Sequence, residues 1–367
     1  MARSISRGCA GDSADDSEFN ALAKQLFQLQ YHSIPVYQKF CQSRGVKSVN
    51  HWSEIPAIPT SAFKEHILSS LPPEERTSVF HSSGTTQQIP GRHFHSAESL
   101  TIYEASLLPW FEKHFLLGVQ PSGCPDESDE DSQNAELHTD HSLGMIFLTP
   151  PPALAPNSSL VHMFDVVRKK FGSRDSLFTG KIINGAWALD IDQTLFGVRK
   201  SMCANRPIAL LGTAFSFVHL LDHFIANNIR YKLAAGSRVM ETGGYKGRSR
   251  VLPKAELHAL ITKHLGVPPS HIISEYGMSE LSSQAYSGLV GSTERSFHFP
   301  PWARAQIISP ETGKEADSGL LRIFDLANAR SVLAIQTEDL AEHRSDGFEL
   351  LGRVTEAEPR GCSLMAQ

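Results

Sequence analysis

Residues 207–213 read Pro-Ile-Ala-Leu-Leu-Gly-Thr, 238–244 read Arg-Val-Met-Glu-Thr-Gly-Gly, and 271–280 read His-Ile-Ile-Ser-Glu-Tyr-Gly-Met-Ser-Glu. Each is a short apolar run ending in glycine or hydroxyl residues. Helical spacing fills the gaps, over Ala214–Ile225 and over Lys254–Leu265, with Pro253 near the start of the second. Proline suits a first helical turn. Strands at 207–211, 238–242 and 271–274 that alternate with helices predict an α/β fold with a largely parallel sheet.

The pattern extends toward the N-terminus. Leu143–Leu148 reads as a strand stopped by Pro150–Pro152; helices follow, from a Ser158 or Ser159 cap to Phe171 and near Asp190–Cys203. Upstream, a helix from about Ser96 to Phe115 carries Leu100, Tyr103, Leu107, Trp110 and Phe111 on one face. Residues 17–31 predict a helix, with Phe19, Leu22, Leu26 and Leu29 at helical spacing, and Val36 to Arg44 a second, ending at Gly45. Ile55-Pro56-Ala57-Ile58-Pro59 is extended, because each proline disfavours helix at the residue before it. Thr60 or Ser61 can cap a short helix with Phe63 and Lys64. Toward the C-terminus the character changes to short strands over 303–308, 320–324, 332–336 and 348–351, with turn residues between. The expected organisation is a flexible leader over 1–16, α/β lobes over 17–300, a small, mainly antiparallel lobe over 301–355 and a mobile tail over 356–367. Seven acidic residues at 126, 127, 129, 130, 131, 136 and 140 mark a solvated insertion at about 122–142.

With 34 Lys+Arg against 39 Asp+Glu among 367 residues, the net charge of −5 offers no basic face for nucleic acid. No apolar run reaches the roughly 18 residues of a transmembrane helix. Met1 to Asp16 has no secretory apolar core. Cys9, Cys41, Cys124, Cys203 and Cys362 are odd in number and form no CxxC pair, which fits a reduced, cytoplasmic setting without a zinc ribbon. Cys41 and Cys203 are expected to pack as small apolar residues in helices. His93 and His95 alternate as on a strand, and His138 and His141 sit in the acidic stretch; solvated or packed histidines explain both pairs better than a metal does.

Four motifs carry chemistry. Ser82-Ser83-Gly84-Thr85-Thr86 follows a predicted strand, Val79-Phe80-His81. Its amides and hydroxyls can wrap phosphate oxygens, although no Gly-Lys-Ser/Thr makes it a Walker A loop. Tyr276-Gly277-Met278-Ser279-Glu280 joins an aromatic that can stack on a base, a glycine, a hydroxyl and a carboxylate suited to Mg²⁺. Asp339 can hold ribose hydroxyls, and Arg353 in Gly352-Arg353 can reach ribose or phosphate. Taken singly each is ordinary: Tyr276 can be core, Glu280 a solvated first-turn residue.

In this order and spacing the motifs resemble the adenylate-forming superfamily. The resemblance implies an acyl-CoA synthetase-like N-terminal domain fold, ATP and Mg²⁺ as cofactors, and activation of a carboxylic acid as acyl-AMP. It assigns Ser82, Ser83, Gly84, Thr85 and Thr86 to the ATP phosphates, Tyr276, Gly277, Ser279 and Arg353 to the nucleotide, Glu280 to Mg²⁺, Gly243 and Gly244 to the adenine site, and Asp339 to the ribose. The LuxE-type acyl-protein synthetases are most similar. Ile55-Pro56-x-x-Pro59-x-x-x-Phe63-Lys64, Glu241-Thr242-Gly243-Gly244-Tyr245-Lys246-Gly247 and the ending through Arg360-Gly361-Cys362-Ser363 look like theirs, so the resemblance covers about residues 20–364.

There are departures. Gln87-Gln88 follows Thr86 where the superfamily has Thr-Gly, and Gly91-Arg92 replaces its lysine after Pro90. The sequence stops 14 residues after Arg353, so the C-terminal lid domain and its lysine are expected to be absent. A cation must still offset charge on the α-phosphate; Lys246 is the candidate and Arg248 the reserve.

The resemblance makes Cys362 the acyl acceptor, and the chemistry agrees. A thiolate converts an acyl-adenylate into a thioester, and Arg360 nearby favours the thiolate. The expected partners are a fatty or other carboxylic acid and, as acyl acceptor, a LuxC-type acyl reductase. A ligase loading CoA or an acyl-carrier protein is the alternative, and a non-catalytic nucleotide- or partner-binding member of the fold the second. Phe215, Phe217 and His219, after the turn at Gly212-Thr213, are weaker candidates for an acyl pocket, since aromatics so spaced also occur as core.

Overall fold

The computed structural model describes residues 12–82, 89–117, 143–243 and 252–354, apart from the side chains of 12–15. Helices α1 (Asp12–Ser33) and α2 (Pro35–Gln42) pack on the antiparallel part of the sheet. Strand β1 (Ile58–Pro59), helix α3 (Ala62–Glu65), the hairpin β2 (Ser78–His81) and β3 (Arg92–His95), and helix α4 (Ala97–Phe111) follow. Ser96 caps α4, its side chain accepting from Ser99 N. After Pro109, which lacks an N–H, the chain continues over Glu112–Leu117 as a π-helical turn, so the α-helix ends short of the expected Phe115.

The next elements alternate as expected. They are β4 (Gly144–Phe147), α5 (Ser159–Phe171), β5 (Leu177–Phe178), the hairpin β6 (Gly180–Ile183) and β7 (Ala186–Leu189), α6 (Ile191–Cys203), β8 (Ile208–Thr213), α7 (Ala214–Ala226), β9 (Arg238–Thr242), α8 (Lys254–Leu265) and β10 (Ile272–Tyr276). Asp190, Thr213 and Ser158 cap their helices through side-chain oxygens. The β6–β7 hairpin was not read from the sequence. Its signal was Asn184-Gly185, both at positive φ (51° and 75°), as a tight turn between antiparallel strands requires.

The chain then turns antiparallel through β11 (Ala285–Ser287), β12 (Phe297–His298), β13 (Ala303–Ile308), β14 (Ser318–Asp325), β15 (Ala334–Arg344) and β16 (Gly347–Arg353). One sheet runs β5-β4-β8-β9-β10-β11-β12-β16-β15-β14-β13, with β1 parallel to β15. It is parallel from β5 to β10 and antiparallel beyond. The parallel strands are almost wholly buried, with helices on both faces, so they read as continuous apolar runs.

Two details of packing depart from the sequence pattern. In α1 the inward stripe is Phe19, Ala23, Leu26, Phe27 and Gln30, while Leu29 is 49% exposed. Gln30 replaces it because its amide is satisfied: Nε2 donates to Asn328 O (2.9 Å) and Oε1 accepts from Leu333 N (2.9 Å). Cys41 is buried as expected, and burial pushes its thiol up to about 11. Cys203, in the last turn of α6, is exposed. No helix among the described residues is long and apolar enough to cross a membrane.

Candidate active site

The C-terminal ends of the parallel strands form one edge. Thr213, Thr242 and Glu275 are in register across β8, β9 and β10. Gly243 comes next on β9, in left-handed backbone (φ 70°), and Tyr276 next on β10. Ligands of open α/β sheets bind at such an edge.

Tyr276 is buried among Phe297, Phe299 and Phe348. It is both a core side chain and a polar one, because its hydroxyl donates to Asp339 Oδ2 at 2.8 Å. Burial and the neighbouring carboxylate hold that phenol well above its usual range. Asp339 Oδ1 in turn lies 3.2 Å from Arg353 Nε. Asp339 and Arg353 face each other on β15 and β16, where a bulge interrupts the ladder: Leu340 pairs Gly352 but Ala341 pairs Leu350, so Leu351 is extra. Gly352 adopts φ 134°, which a side chain disfavours. A bulge of this kind re-aims the residues beside it.

Downstream, Ser279 Oγ donates to Glu280 Oε2 (2.8 Å). Glu280 is 6% exposed. The β2–β3 pair reaches this carboxylate where Ser82 and Gly91 face each other. Gly91 N donates to Ser82 Oγ at 2.7 Å, and Ser82 N to Gly91 O at 3.0 Å. A Cβ on Gly91 would stand 2.9 Å from Ser82 Oγ and 3.1 Å from Glu280 Oε1, so the glycine permits the approach. On the next inward position of β3, His93 Nδ1 donates to Ser279 O (2.8 Å). Burial lowers His93 to about 4, leaving a neutral ring with its proton on that nitrogen.

A second polar cluster underlies the edge. Thr242 Oγ1 donates to Glu275 Oε2, and Ser274 Oγ to Glu241 Oε1. His258 Nε2 on α8 lies 3.2 Å from Glu241 Oε1, tying β9 to the helix beyond residues 244–251. Burial pushes Glu275 up to about 7.

Ser82, Gly243, Tyr276, Gly277, Ser279, Glu280, Asp339 and Arg353 therefore come to one sheet edge and the strands bordering it. Ser83, Gly84, Thr85, Thr86, Gln87, Gln88, Gly244, Lys246, Arg248 and Cys362, with the acidic stretch 126–140 and Cys9, Cys124, His138 and His141, lie outside the described residues. The aromatic trio after β8 is divided. Phe215 and His219 share one face of α7, their rings 4.3 Å apart, while Phe217 is fully buried on the opposite face. Gly91, His93 and Glu241 stand out in the sequence without these roles, His93 as a packed histidine, and His258 does not stand out. For His93 the strand alternation with His95 was the available signal, and it gave no partner.

A family model described as "Acyl-protein synthetase, LuxE" matches residues 138–367, more than half of the chain. The chain belongs to the LuxE acyl-protein synthetase family. It is similar to the long-chain-fatty-acid–luciferin-component ligases of Vibrio harveyi and Aliivibrio fischeri. Each is 24% identical over 359 residues, covering 94% of this chain and 85% and 86% of those proteins. Among solved structures, a 2-hydroxyisobutyryl-CoA ligase in complex with 2-HIB-AMP and CoA superposes with a TM-score of 0.61 at 12% identity. The match covers 93% of this chain and 75% of that one. At that identity the likeness shows the fold, and the fold of this LuxE-family chain is that of the adenylate-forming enzymes.

The donor set at the edge suits a hard cation. Glu280, Ser279 and Ser82 offer only oxygen atoms, and Mg²⁺ is commonly held by one or two carboxylates together with substrate phosphates. Among the described residues no group of three or more His, Cys, Asp or Glu could hold a metal alone.

Proposed function

We propose that this chain is an ATP-dependent ligase that activates a long-chain fatty acid, or a similar carboxylic acid, as acyl-AMP and then acylates its own Cys362. The observation that carries the proposal is the meeting of Ser82, Glu280, Tyr276, Asp339 and Arg353 at the ends of β9 and β10. The names of the two luciferin-component ligases supply the acid class.

In the first step a carboxylate oxygen of the acid bonds to the α-phosphorus of ATP, and the bond to the pyrophosphate oxygen breaks. Ser82 and residues 83–86 hold the phosphates, Gly243 and Gly244 border the adenine, and Asp339 and Arg353 hold the ribose. Mg²⁺, when bound, offsets phosphate charge; Glu280 and the Ser279 hydroxyl would hold it. Lys246, with Arg248 in reserve, supplies the cation beside the α-phosphate. In the second step the Cys362 thiolate attacks the acyl carbon and AMP leaves with the bonding pair. The thioester then passes to an acyl reductase of the LuxC type. A cytoplasmic location would keep the thiol reduced.

The test is the intact mass of the protein after incubation with ATP, Mg²⁺ and a ladder of fatty acids, with Cys362→Ser alongside. A thioester-sized adduct on the wild type only is expected, and its mass names the preferred acid. Acid-dependent ATP loss without an adduct would instead indicate a ligase for CoA or a carrier protein. Neither adduct nor ATP loss would indicate a non-catalytic member.

A further inference from the structure

The turn between β10 and β11 that carries Glu280 is gripped by three buried polar side chains from elsewhere in the chain. Asp325, at the end of β14, accepts from Ser282 N (2.9 Å), Ser283 N (2.8 Å) and Ser283 Oγ (2.7 Å). Asn328 Nδ2 donates to Glu280 O at 2.9 Å. His93 Nδ1 donates to Ser279 O at 2.8 Å. Asp325, Asn328 and His93 are 0%, 1% and 3% exposed, so each grip works where water does not compete.

Of the three, His93 alone comes from the antiparallel pair β2–β3, whose strands carry Ser82 and Gly91 just past their paired residues. Two residues upstream, Gly91 stands against Ser82 Oγ and Glu280 Oε1. The His93 ring packs between Phe63 (6.1 Å) and His95 (4.3 Å), which leaves it little freedom to turn. The same short strand therefore sets the start of the phosphate loop and the peptide that aims Glu280.

We propose that His93 is a positioning residue: its Nδ1–H locks the Ser279–Glu280 peptide to the β2–β3 strand pair, fixing the carboxylate beside Ser82 and Gly91. The proposal rests on the functional reading above. His93 touches neither substrate nor metal; it acts through Ser279 and Glu280. Misplacing a reacting group by about an ångström can cost on the order of a hundredfold in rate, and loss of one buried tether beside two surviving ones is expected to cost about tenfold.

Two substitutions separate the hydrogen bond from the packing. His93→Asn keeps an N–H at the same bond distance from the backbone as Nδ1 and loses the ring. His93→Phe keeps the ring and loses the donor. Two readouts apply, and the first needs no activity. Amide hydrogen exchange over residues 278–284 should quicken in His93→Phe and stay near wild type in His93→Asn. Acid-dependent ATP–pyrophosphate exchange should show kcat about tenfold lower in His93→Phe, a higher Mg²⁺ requirement and an unchanged KM for the acid, with His93→Asn within about threefold of wild type. If His93→Asn is the impaired variant and His93→Phe behaves as wild type, His93 is packing and the proposal falls. It falls equally if neither variant moves either readout. A wild type inert with every acid would remove the functional reading, and with it the phosphate-site role of His93. The amide exchange would still show whether His93 holds the peptide.

Discussion

In the parallel half of the sheet, Thr242-Gly243 and Tyr276-Gly277 sit at or just past strand ends, and the strands themselves are core. In the antiparallel half, Asp339 lies in the middle of an 11-residue strand, and Arg353 reaches it only because Leu351 is looped out of the ladder. The first half delivers its groups by where strands stop. The second delivers them by register. A strand end tolerates sequence drift behind it, whereas a register position depends on every pairing along the strand. The two halves meet in the Tyr276–Asp339 hydrogen bond.

The largest expected effect marks what in the parallel half is scaffold. Phe217→Ala should cost about 3–5 kcal/mol of stability, read by denaturant unfolding. It should leave KM for ATP unchanged; a large rise in that KM would place Phe217 in the site and blur the division into strand ends and core. Next, Glu280→Gln should lower acid-dependent ATP–pyrophosphate exchange on the order of a hundredfold while the unfolding midpoint barely moves. Unchanged exchange would break the assignment of the whole strand-end segment.

Glu275 gives a pH test of the same edge. From 4.5 up to its raised value of about 7 it keeps its proton when folded and has lost it when unfolded, so its contribution to stability falls as pH rises through that window. His93 and His114, lowered from 6.5 to about 4 by burial, act in the opposite sense between those values. The difference between wild type and Glu275→Gln isolates the carboxyl. The variant should gain a few degrees in Tm over wild type at pH 8 relative to pH 4.5. A flat difference would mean that Glu275 is ionised in the fold.

Two smaller effects probe the antiparallel half. Asp339→Asn should raise KM for ATP about tenfold, and Tyr276→Phe, which only removes the hydroxyl, about threefold. Their double mutant should fall short of the product of the two, because both act through one hydrogen bond. Full additivity would separate the two halves.

Much of the fold was legible because local signals agreed. Ser158, Thr213 and Asp190 capped the helices expected after them, and apolar runs at 143–148, 207–211 and 238–242 were strands buried on both faces. Leu29 and Cys203 lie outside the core for one reason. Helical period says which residues share a face, but not which face meets the core, nor that a polar Gln30 has partners waiting on Asn328 and Leu333. The site was legible as four separate motifs, and in residues such as Tyr276 a core role and a polar role coexist.

By itself the sequence determined the alternation of helices with the main parallel strands, the glycines and hydroxyls at strand ends, and the family, because those depend on spacing along the chain. Only the tertiary structure decided that Asp339 answers Tyr276, that Gly91 leaves room for Glu280, and that His93 holds Ser279. These contacts join residues separated by 63, 189 and 186 positions. Short-range spacing carries no information about pairings of that span. Strand register, a one-residue bulge and the burial of a hairpin against the sheet set them.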